Sequence, residues 1–336
     1  MASPPQLSVI ICHHTGQLIH RCLDSVFESE GVQLEVLVVT SAPDFQTPWA
    51  AVMVLSVQGG PAHKRNVGVS RSRHPYLVFL DDDVEVSPYC LYELWRGLQE
   101  HPKAGMGFAK IYNMERRDEF DDCGSWLTQS GFLYARAENH QRDVGQYDEP
   151  CRCLSSKSAT CIIRRDIFLT AGGFDAHYYI LGEETDLAWR SWLTGHESWY
   201  LPAAVSWHAF NTSLKPLADY YTLERIHRYG CRNYLSMLFT NLGTARLTFT
   251  FPLHLSAWLV ACLGFALRGQ WQRSVEILRG LQDFTNTMPR VRWKRRHVQA
   301  SRVISDRALM QVIMVNPPWG YYFNRLRRYL HQGLHG

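Results

Sequence analysis

The stretch YLVFLDDD, residues 76–83, ends an apolar run on three adjacent carboxylates. The apolar run predicts a short buried strand. Adjacent carboxylates repel one another, so they persist at a strand end where a cation or hydrogen-bond donors neutralise them. Carboxylate oxygens suit Mg²⁺ and Mn²⁺, which makes Asp81 and Asp83 candidate ligands of one divalent ion, with Asp82 facing another way. A solvated acidic turn is the alternative interpretation.

Predicted strands and helices alternate before this stretch. Runs typical of strands lie at 7–12, 34–39 and 53–57, and helical spacing is present at 17–29 and 62–72. This alternation predicts an α/β fold with a Rossmann-like, mostly parallel mixed sheet flanked by helices. Ligands of such sheets bind at the carboxyl ends of the strands, where the three aspartates lie. After the aspartates, the polar stretch 113–157 predicts loops, and regular structure is expected again at 159–164.

Three further segments carry candidate functional side chains. Arg65 could pair with a phosphate or with a site carboxylate, and Asn66 offers amide hydrogen bonds, although a surface helix start explains both equally well. Glu183, Glu184 and Asp186 open a predicted helix, where the helix dipole favours acidic residues; one of them could instead act as a general base.

His208 follows Trp207 near the end of the acidic part of the chain. A neutral imidazole could complete the coordination shell of a divalent metal. A lone histidine is more often structural, so this alternative stays open.

The cysteines and the N-terminus bear on the cellular compartment. The nine cysteines are odd in number and scattered, which predicts free thiols in a reducing compartment. No basic segment precedes the first apolar run, and that run is too short for a signal peptide. We therefore expect a cytoplasmic protein.

The C-terminal third differs in charge. Residues 216–336 hold 17 Lys and Arg against 5 Asp and Glu, whereas 1–215 hold 18 against 26. Helical runs are predicted near 216–240, 247–285 and 301–313. The uncharged stretch 247–267 could span a membrane, lie in its surface or form a buried helix. The basic cluster at 290–296 suits an anionic membrane surface, and since no nucleic-acid motif accompanies it, no nucleic-acid partner is expected.

Taken in this order, these segments resemble the inverting family-2 glycosyltransferases, a group that includes bacterial rhamnosyl- and galactofuranosyltransferases. The resemblance covers about residues 7–213. It rests on the opening strand and helix at 7–26, the Arg-Asn-x-Gly segment ending at Gly68, the DxD at 81–83, the strand and GGFD turn at 162–175, the EExDL segment at 183–187, and His208.

The resemblance implies a GT-A catalytic domain at 1–215, with a donor half at about 1–110 and an acceptor half at about 111–215. Residues 216–336 would be a basic, membrane-associated helical extension. The implied roles are metal binding by Asp81, Asp83 and His208; donor binding by Arg65, Asn66 and Asp81 to Asp83; catalysis by Glu184 as the base; and acceptor-side positions at Glu183, Asp186 and Gly173.

The implied reaction uses Mn²⁺ or Mg²⁺ and a UDP-, dTDP- or GDP-sugar, with a glycan or lipid-linked acceptor, at the inner face of the cell membrane. A homodimer is compatible with this. A non-catalytic membrane scaffold and a metal-dependent nucleotidyl transferase are the alternatives. The sequence departs from the family pattern at Thr40-Ser41-Ala42, where an aspartate is usual, at His13-His14, and at Glu184, which replaces an aspartate.

Overall fold

The computed structural model describes residues 3–14, 16, 18–42, 44–137, 141–209 and 223–332. The chain divides into two compact units. The first comprises Met1–Ser125, Ala135–Tyr179 and Glu183–Pro216, and the second comprises Trp126–Tyr134, Ile180–Gly182 and Leu217–Gly336. The nine cysteines are free, as the sequence predicts.

The elements up to residue 208 alternate between strands and helices. In chain order they are β1 Gln6–His13, α1 Leu18–Phe27, β2 Gln33–Thr40, β3 Val52–Ser56, α2 Pro61–Arg71, β4 Tyr76–Asp81, β5 Val84–Val86, α3 Cys90–Glu100, β6 Ala104–Asn113, β7 Phe120–Asp122, β8 Ser125–Thr128, β9 Leu133–Ala135, β10 Cys151–Cys153, β11 Thr160–Arg164, α4 Arg165–Thr170, a 3₁₀ turn Ala176–Tyr178, α5 Glu183–Leu193 and β12 Glu197–His208.

In the described part of the chain, ten strands form one mixed sheet in the order β10-β12-β6-β11-β4-β1-β2-β3, with β5 on β12 and β7 on β6. Strands β4, β1, β2 and β3 are parallel, as are β6 and β12. Asp81 lies beside Cys12 in the register, and His13 lies beside Thr40. The carboxyl ends of β1, β2 and β4 therefore meet at one edge, and the predicted α/β sheet is confirmed.

Two features of this sheet differ from the sequence expectations. Strand β11 runs antiparallel between β4 and β6, a direction that its composition does not reveal. The stretch predicted as loops, 113–157, contains β7, β8, β9 and β10. That expectation was wrong because strands of three or four residues are too short to show a period, and they form through pairing with longer neighbours.

Helix α2 lies very close to the sheet. A Cβ atom built on Gly68 would be 2.5 Å from Cγ2 of Ile10, so only glycine fits at this position without displacing the helix. Ile10 and Val39 are fully buried beneath it. The close approach brings the start of α2, with Lys64 and Arg65, to the carboxyl ends of the strands.

The second unit is mainly helical. Its helices are α6 Leu223–Asn241, α7 Thr244–Ala266, α8 Trp271–Asn286, α9 Met288–Ala300, α10 Asp306–Ile313 and α11 Trp319–Gln332. A short strand, β13 Met314–Val315, pairs with β8 beside β9. The single run predicted at 247–285 is two helices, because the chain turns at Gly269 with φ +72°. Residues 216–222, where another helical run was expected to begin, lie outside the described residues.

Candidate active site

The predicted metal ligands Asp81, Asp83 and His208 lie together. Strand β4 ends at Asp81, and β5 pairs antiparallel with the end of β12, which puts His208 opposite Val84. His208 Nε2 is 3.4 Å from Asp83 Oδ1 and 4.0 Å from Asp81 Oδ2. One ligand atom from each of the three residues lies within 4.8 Å of the other two.

These residues fit one divalent cation. Ligand atoms about 2.1 Å from a common ion lie at most about 4.2 Å apart, so these separations need only a small adjustment. Two carboxylates and one imidazole form a donor set that suits Mn²⁺ or Mg²⁺. Asp83 and His208 are buried, whereas the side chain of Asp81 is 31% exposed. The cluster is therefore open on one side.

Asp121 and Lys157 lie on the Nδ1 side of the His208 ring, whereas Asp83 lies on the Nε2 side. His208 Nδ1 is 2.9 Å from Asp121 Oδ2, and Lys157 Nζ is 2.6 Å from Asp121 Oδ1. Burial raises the pKa of Asp121, but Lys157 and His208 outweigh it and hold that pKa below its usual value. A carboxylate behind an imidazole fixes its ring orientation and leaves the other nitrogen for a metal. Nothing in the spacing of the sequence singled out Asp121 or Lys157.

The same carboxylates govern the charge of His208. Burial lowers the pKa of this imidazole, but Asp83 and Asp121 outweigh the effect and raise it to about 10. The cluster therefore attracts positive charge strongly. That is the electrostatic condition for binding a cation.

Asp82 faces away from the cluster. Its Oδ2 accepts a hydrogen bond of 3.2 Å from the backbone N–H of His14, at the end of β1. The side chain is buried. The middle aspartate therefore lies toward the end of the neighbouring strand β1, and its donor-binding role stays a prediction.

The ends of β1 and β2 form a polar, basic corner. His13 Nδ1 is 2.8 Å from Thr40 Oγ1, and His14 Nδ1 is 2.9 Å from Ser41 Oγ. Lys64 is buried and donates to His13 O at 2.7 Å and to Ser41 Oγ at 3.0 Å. Hydroxyl groups and a lysine thus stand where the family pattern has an aspartate.

Arg65 joins the aspartate cluster to the start of α5. Its guanidinium is buried and donates to Asp81 Oδ1 at 2.8 Å and to Glu183 Oε1 at 3.1 Å. The structure thus shows the carboxylate pairing, one of the two options for this residue. A direct contact with a donor stays a prediction.

Asn66 holds the GGFD turn rather than facing the cluster. Its amide donates to Phe174 O at 2.7 Å and accepts from Phe174 N at 3.0 Å. Gly173 has φ +66°, and a Cβ there would lie 3.1 Å from Asn66 Oδ1. The donor role of Asn66 and the acceptor-side role of Gly173 stay predictions; their observed contacts fix the backbone beside α5.

The three acidic residues of α5 have different environments. Asp186 is fully buried, bonded to Arg190 at 2.8 Å and to the Tyr178 hydroxyl at 3.2 Å. Glu183 is buried against Arg65. Glu184 is half-buried. An acceptor contact by Asp186 stays a prediction, and its observed contacts are those of a residue that holds α5 in place.

Glu184 has a raised pKa, and its role as a general base stays a prediction. Burial and the neighbouring Glu183 raise the pKa of Glu184 to about 8, with a smaller contribution from Asp81. A carboxylate with such a pKa accepts a proton readily near neutral pH. Among Glu183, Glu184 and Asp186, it is the one that solvent reaches.

Comparison with known proteins bears on the family and the fold of this chain. Residues 8–160, slightly less than half of the chain, match the family model Glycosyl transferase family 2. MT1568, an uncharacterized protein of Mycobacterium tuberculosis (strain CDC 1551 / Oshkosh), is 29% identical over 201 residues. That match covers 53% of this chain and 59% of the relative, so the chain spans less than two thirds of the relative's length.

Solved structures show the same fold. S. aureus TarS 1-349 in complex with UDP-GlcNAc has a TM-score of 0.57 at 16% identity, over 88% of each chain. GalNAc-T7 with UDP, GalNAc and Mn²⁺ has 0.56 at 14%, over 85% of this chain and 58% of that one. PcManGT, a mannosyltransferase from Pyrobaculum calidifontis with GDP-Man and Mn²⁺, has 0.50 at 15%, over 89% and 86%.

These findings confirm the predicted fold class, a GT-A fold followed by a C-terminal helical region. The family match supports assigning residues 8–160 to glycosyl transferase family 2. The specificity toward rhamnose or galactofuranose that the resemblance suggested stays a prediction.

The Arg65 ion pairs predict a large effect on stability. We expect Arg65→Met to lower the free energy of unfolding by about 3 kcal/mol, because it leaves Glu183 buried without its partner. Urea denaturation measures this. Arg65→Met combined with Glu183→Gln should recover part of the loss, and Arg71→Met, at an exposed arginine of the same helix, should change the free energy of unfolding by less than about 0.5 kcal/mol. If the separate effects of Arg65→Met and Glu183→Gln on the free energy of unfolding add up to the effect of the double change, the pairing is contradicted.

Asp121 predicts a test of the cation site. We expect Asp121→Asn to weaken Mn²⁺ binding by about 10- to 100-fold, since the imidazole loses the carboxylate that orients it. Calorimetric titration with Mn²⁺ gives the affinity. Asp118→Asn, at an exposed aspartate of the same segment, is the matched control and should leave the affinity unchanged. Equal affinities in the two variants would remove Asp121 from the site.

Proposed function

We propose that this protein is a metal-dependent inverting glycosyltransferase that moves a sugar from a nucleotide-diphosphate donor to a hydroxyl of a lipid-linked or glycan acceptor. The observation that carries the proposal is the cluster of Asp81, Asp83 and His208, with Glu184 nearby at the start of α5. The family match and the fold support a glycosyltransferase that uses a nucleotide sugar.

The donor side is assigned to the carboxyl edge of the sheet. Asp81, Asp83 and His208 would hold Mn²⁺ or Mg²⁺, which when bound stabilises negative charge on a leaving diphosphate. The relatives of this fold noted above were solved with UDP, UDP-GlcNAc or GDP-Man, and two of them with Mn²⁺. These structures support a UDP- or GDP-sugar as the donor, and the family resemblance adds a dTDP-sugar.

The acceptor side is assigned to Glu184. Its carboxylate takes the proton of an acceptor hydroxyl, and the freed oxygen attacks the anomeric carbon opposite the leaving group. A bond forms between that oxygen and the sugar while the bond to the nucleoside diphosphate breaks. One displacement inverts the configuration, so an α-linked donor gives a β-linked product.

The two alternative functions, nucleotidyl transfer and a non-catalytic scaffold, explain fewer of these observations. Nucleotidyl transfer by carboxylates commonly uses two close metals, and the described residues contain one candidate metal cluster. A non-catalytic scaffold would have no need for the raised pKa of Glu184. The expected location, the cytoplasmic face of the membrane, is motivated by the basic helical region rather than by the site.

Donor binding tests the proposal directly. We expect one sugar nucleotide in a UDP-, dTDP- and GDP-sugar panel to raise the melting temperature in the presence of Mn²⁺, because a ligand that binds the folded state stabilises it. Asp83→Ala should abolish the metal-dependent rise, and Asp118→Ala should keep it. If no sugar nucleotide stabilises the wild-type protein, with or without metal, the proposal fails.

Glu184 predicts a separation of binding from transfer. We expect Glu184→Gln to keep donor binding and to lose transfer by about 10²- to 10⁴-fold. Because the deprotonated carboxylate is the active form, the wild-type rate should fall as pH drops below about 8. Product analysis by mass spectrometry and NMR measures the rate and the anomeric configuration.

Glu28→Gln, which changes an exposed glutamate of the first unit, is the matched control and should transfer at the wild-type rate. Retention of configuration in the product, or full activity of Glu184→Gln, would exclude Glu184 as the base of an inverting reaction.

A further inference from the structure

Helix α7 has one buried and one exposed face. Thr250, His254, Ala261 and Phe265 are buried, at helical spacing. The opposite face exposes apolar side chains along its length: Phe249 (82%), Leu253, Leu259, Val260, Leu263 (59%) and Leu267 (78%). At 1.5 Å per residue this stripe is about 27 Å long. An exposed apolar stripe of this size marks a binding surface rather than an ordinary soluble face.

The helices that pack against α7 carry similar stripes. Trp271, Val275 and Leu278 are exposed on α8, and Trp319, Phe323 and Leu326 are exposed on α11, each set at helical spacing. The Ser274 hydroxyl of α8 donates to Cys262 O of α7 at 2.8 Å. The ring centroids of Trp258 on α7 and Tyr329 on α11 are 6.0 Å apart, so α8 and α11 both adjoin α7. We call these exposed side chains of α7, α8 and α11 the apolar face.

The helices that carry the apolar face, together with α9, are mainly basic. Helices α7, α9 and α11 contain no Asp or Glu. The two acidic residues of α8, Glu276 and Asp283, form ion pairs with Arg279 and Arg228. The exposed arginines of these helices and of the turn after α7 are Arg268, Arg279, Arg290, Arg292, Arg296 and Arg327. A surface that is apolar and positive complements an anionic lipid bilayer, where each basic residue contributes to binding.

The contacts of α7 within the protein bear on its orientation relative to a bilayer. By length and composition α7 could cross a membrane, but 22% of its most apolar stretch is buried in the protein. His254 Nε2 is 2.9 Å from Ser130 O, its ring lies 4.1 Å from that of Phe132, and burial lowers its pKa to about 4. A spanning helix would have to leave these contacts, whereas a helix in the membrane plane keeps them.

We propose that the apolar face docks this protein on the surface of an anionic bilayer, with α7 lying in the membrane plane rather than across it. The inference goes beyond the proposed function and does not rest on it, because no residue of the candidate active site takes part. Two copies of the chain would bring arginine-rich surfaces together, which disfavours a dimer through this face. Binding of a nucleic acid would explain the exposed arginines but not the exposed leucines.

Vesicle binding by the full chain tests the proposal. We expect binding to vesicles of equimolar phosphatidylcholine and phosphatidylglycerol, weaker binding to phosphatidylcholine alone, and release by carbonate at high pH. Leu263→Gln with Leu267→Gln should weaken binding at least about tenfold, because two leucines no longer enter the lipid. Arg292→Gln should weaken it about fivefold.

The matched controls are Leu169→Gln and Arg71→Gln, which change an exposed leucine and an exposed arginine of the first unit. Both should bind like the wild type. Donor-induced stabilisation should be unchanged in all four variants, so failure of the membrane proposal is distinguishable from failure of the proposed function.

Three results would overturn the proposal. One is equal binding to neutral and anionic vesicles, or binding to neither. Another is resistance to carbonate extraction, which indicates a spanning helix. The third is self-association without lipid that Leu263→Gln with Leu267→Gln abolishes, since the apolar face would then be a protein interface.

Discussion

Negative charge concentrated at one edge of a sheet is the constraint on which the first unit depends. Asp81, Asp82 and Asp83 end β4, and Glu183 and Glu184 begin α5. Such a concentration unfolds a protein unless positive groups or hydrogen-bond donors compensate it. Buried Arg65 supplies one part of the compensation, since it bridges Asp81 and Glu183.

The acidic groups at this edge are neutralised to different degrees, and these differences determine the chemical properties of the edge. Asp82 accepts a backbone hydrogen bond and Glu183 has Arg65. Asp81, Asp83 and His208 are arranged so that a divalent cation would complete the balance. Burial and the neighbouring Glu183 raise the pKa of Glu184 to about 8, and Arg65 offsets only part of this rise. One edge of the sheet thus brings together the candidate cation ligands and the candidate base.

The remaining contacts keep this arrangement rigid. Asn66 fixes the backbone at Phe174, and Arg190 joins Asp186 to Gly173 O at 2.7 Å. Buried polar networks of this kind specify one arrangement when all their members are satisfied. In the second unit, α7 buries one face in the protein and leaves an apolar face exposed.

The sequence by itself determined the local features. Apolar runs predicted β1, β2, β3 and β4, and the acidic triplet indicated a cation site at a strand end. The resemblance pointed to Glu184 and His208. These features could be predicted because hydrophobic period and residue type act over a few neighbouring residues.

The tertiary structure alone decided the long-range features. The pairing of β5 with β12 brings His208 to Asp83, and β11 runs antiparallel inside the sheet. Asp121 and Lys157 join the site from a stretch that showed no pattern, while Asn66 and Asp186 are engaged in holding backbone and helix. Each of these depends on contacts between residues far apart in the chain, which local propensity and period do not encode.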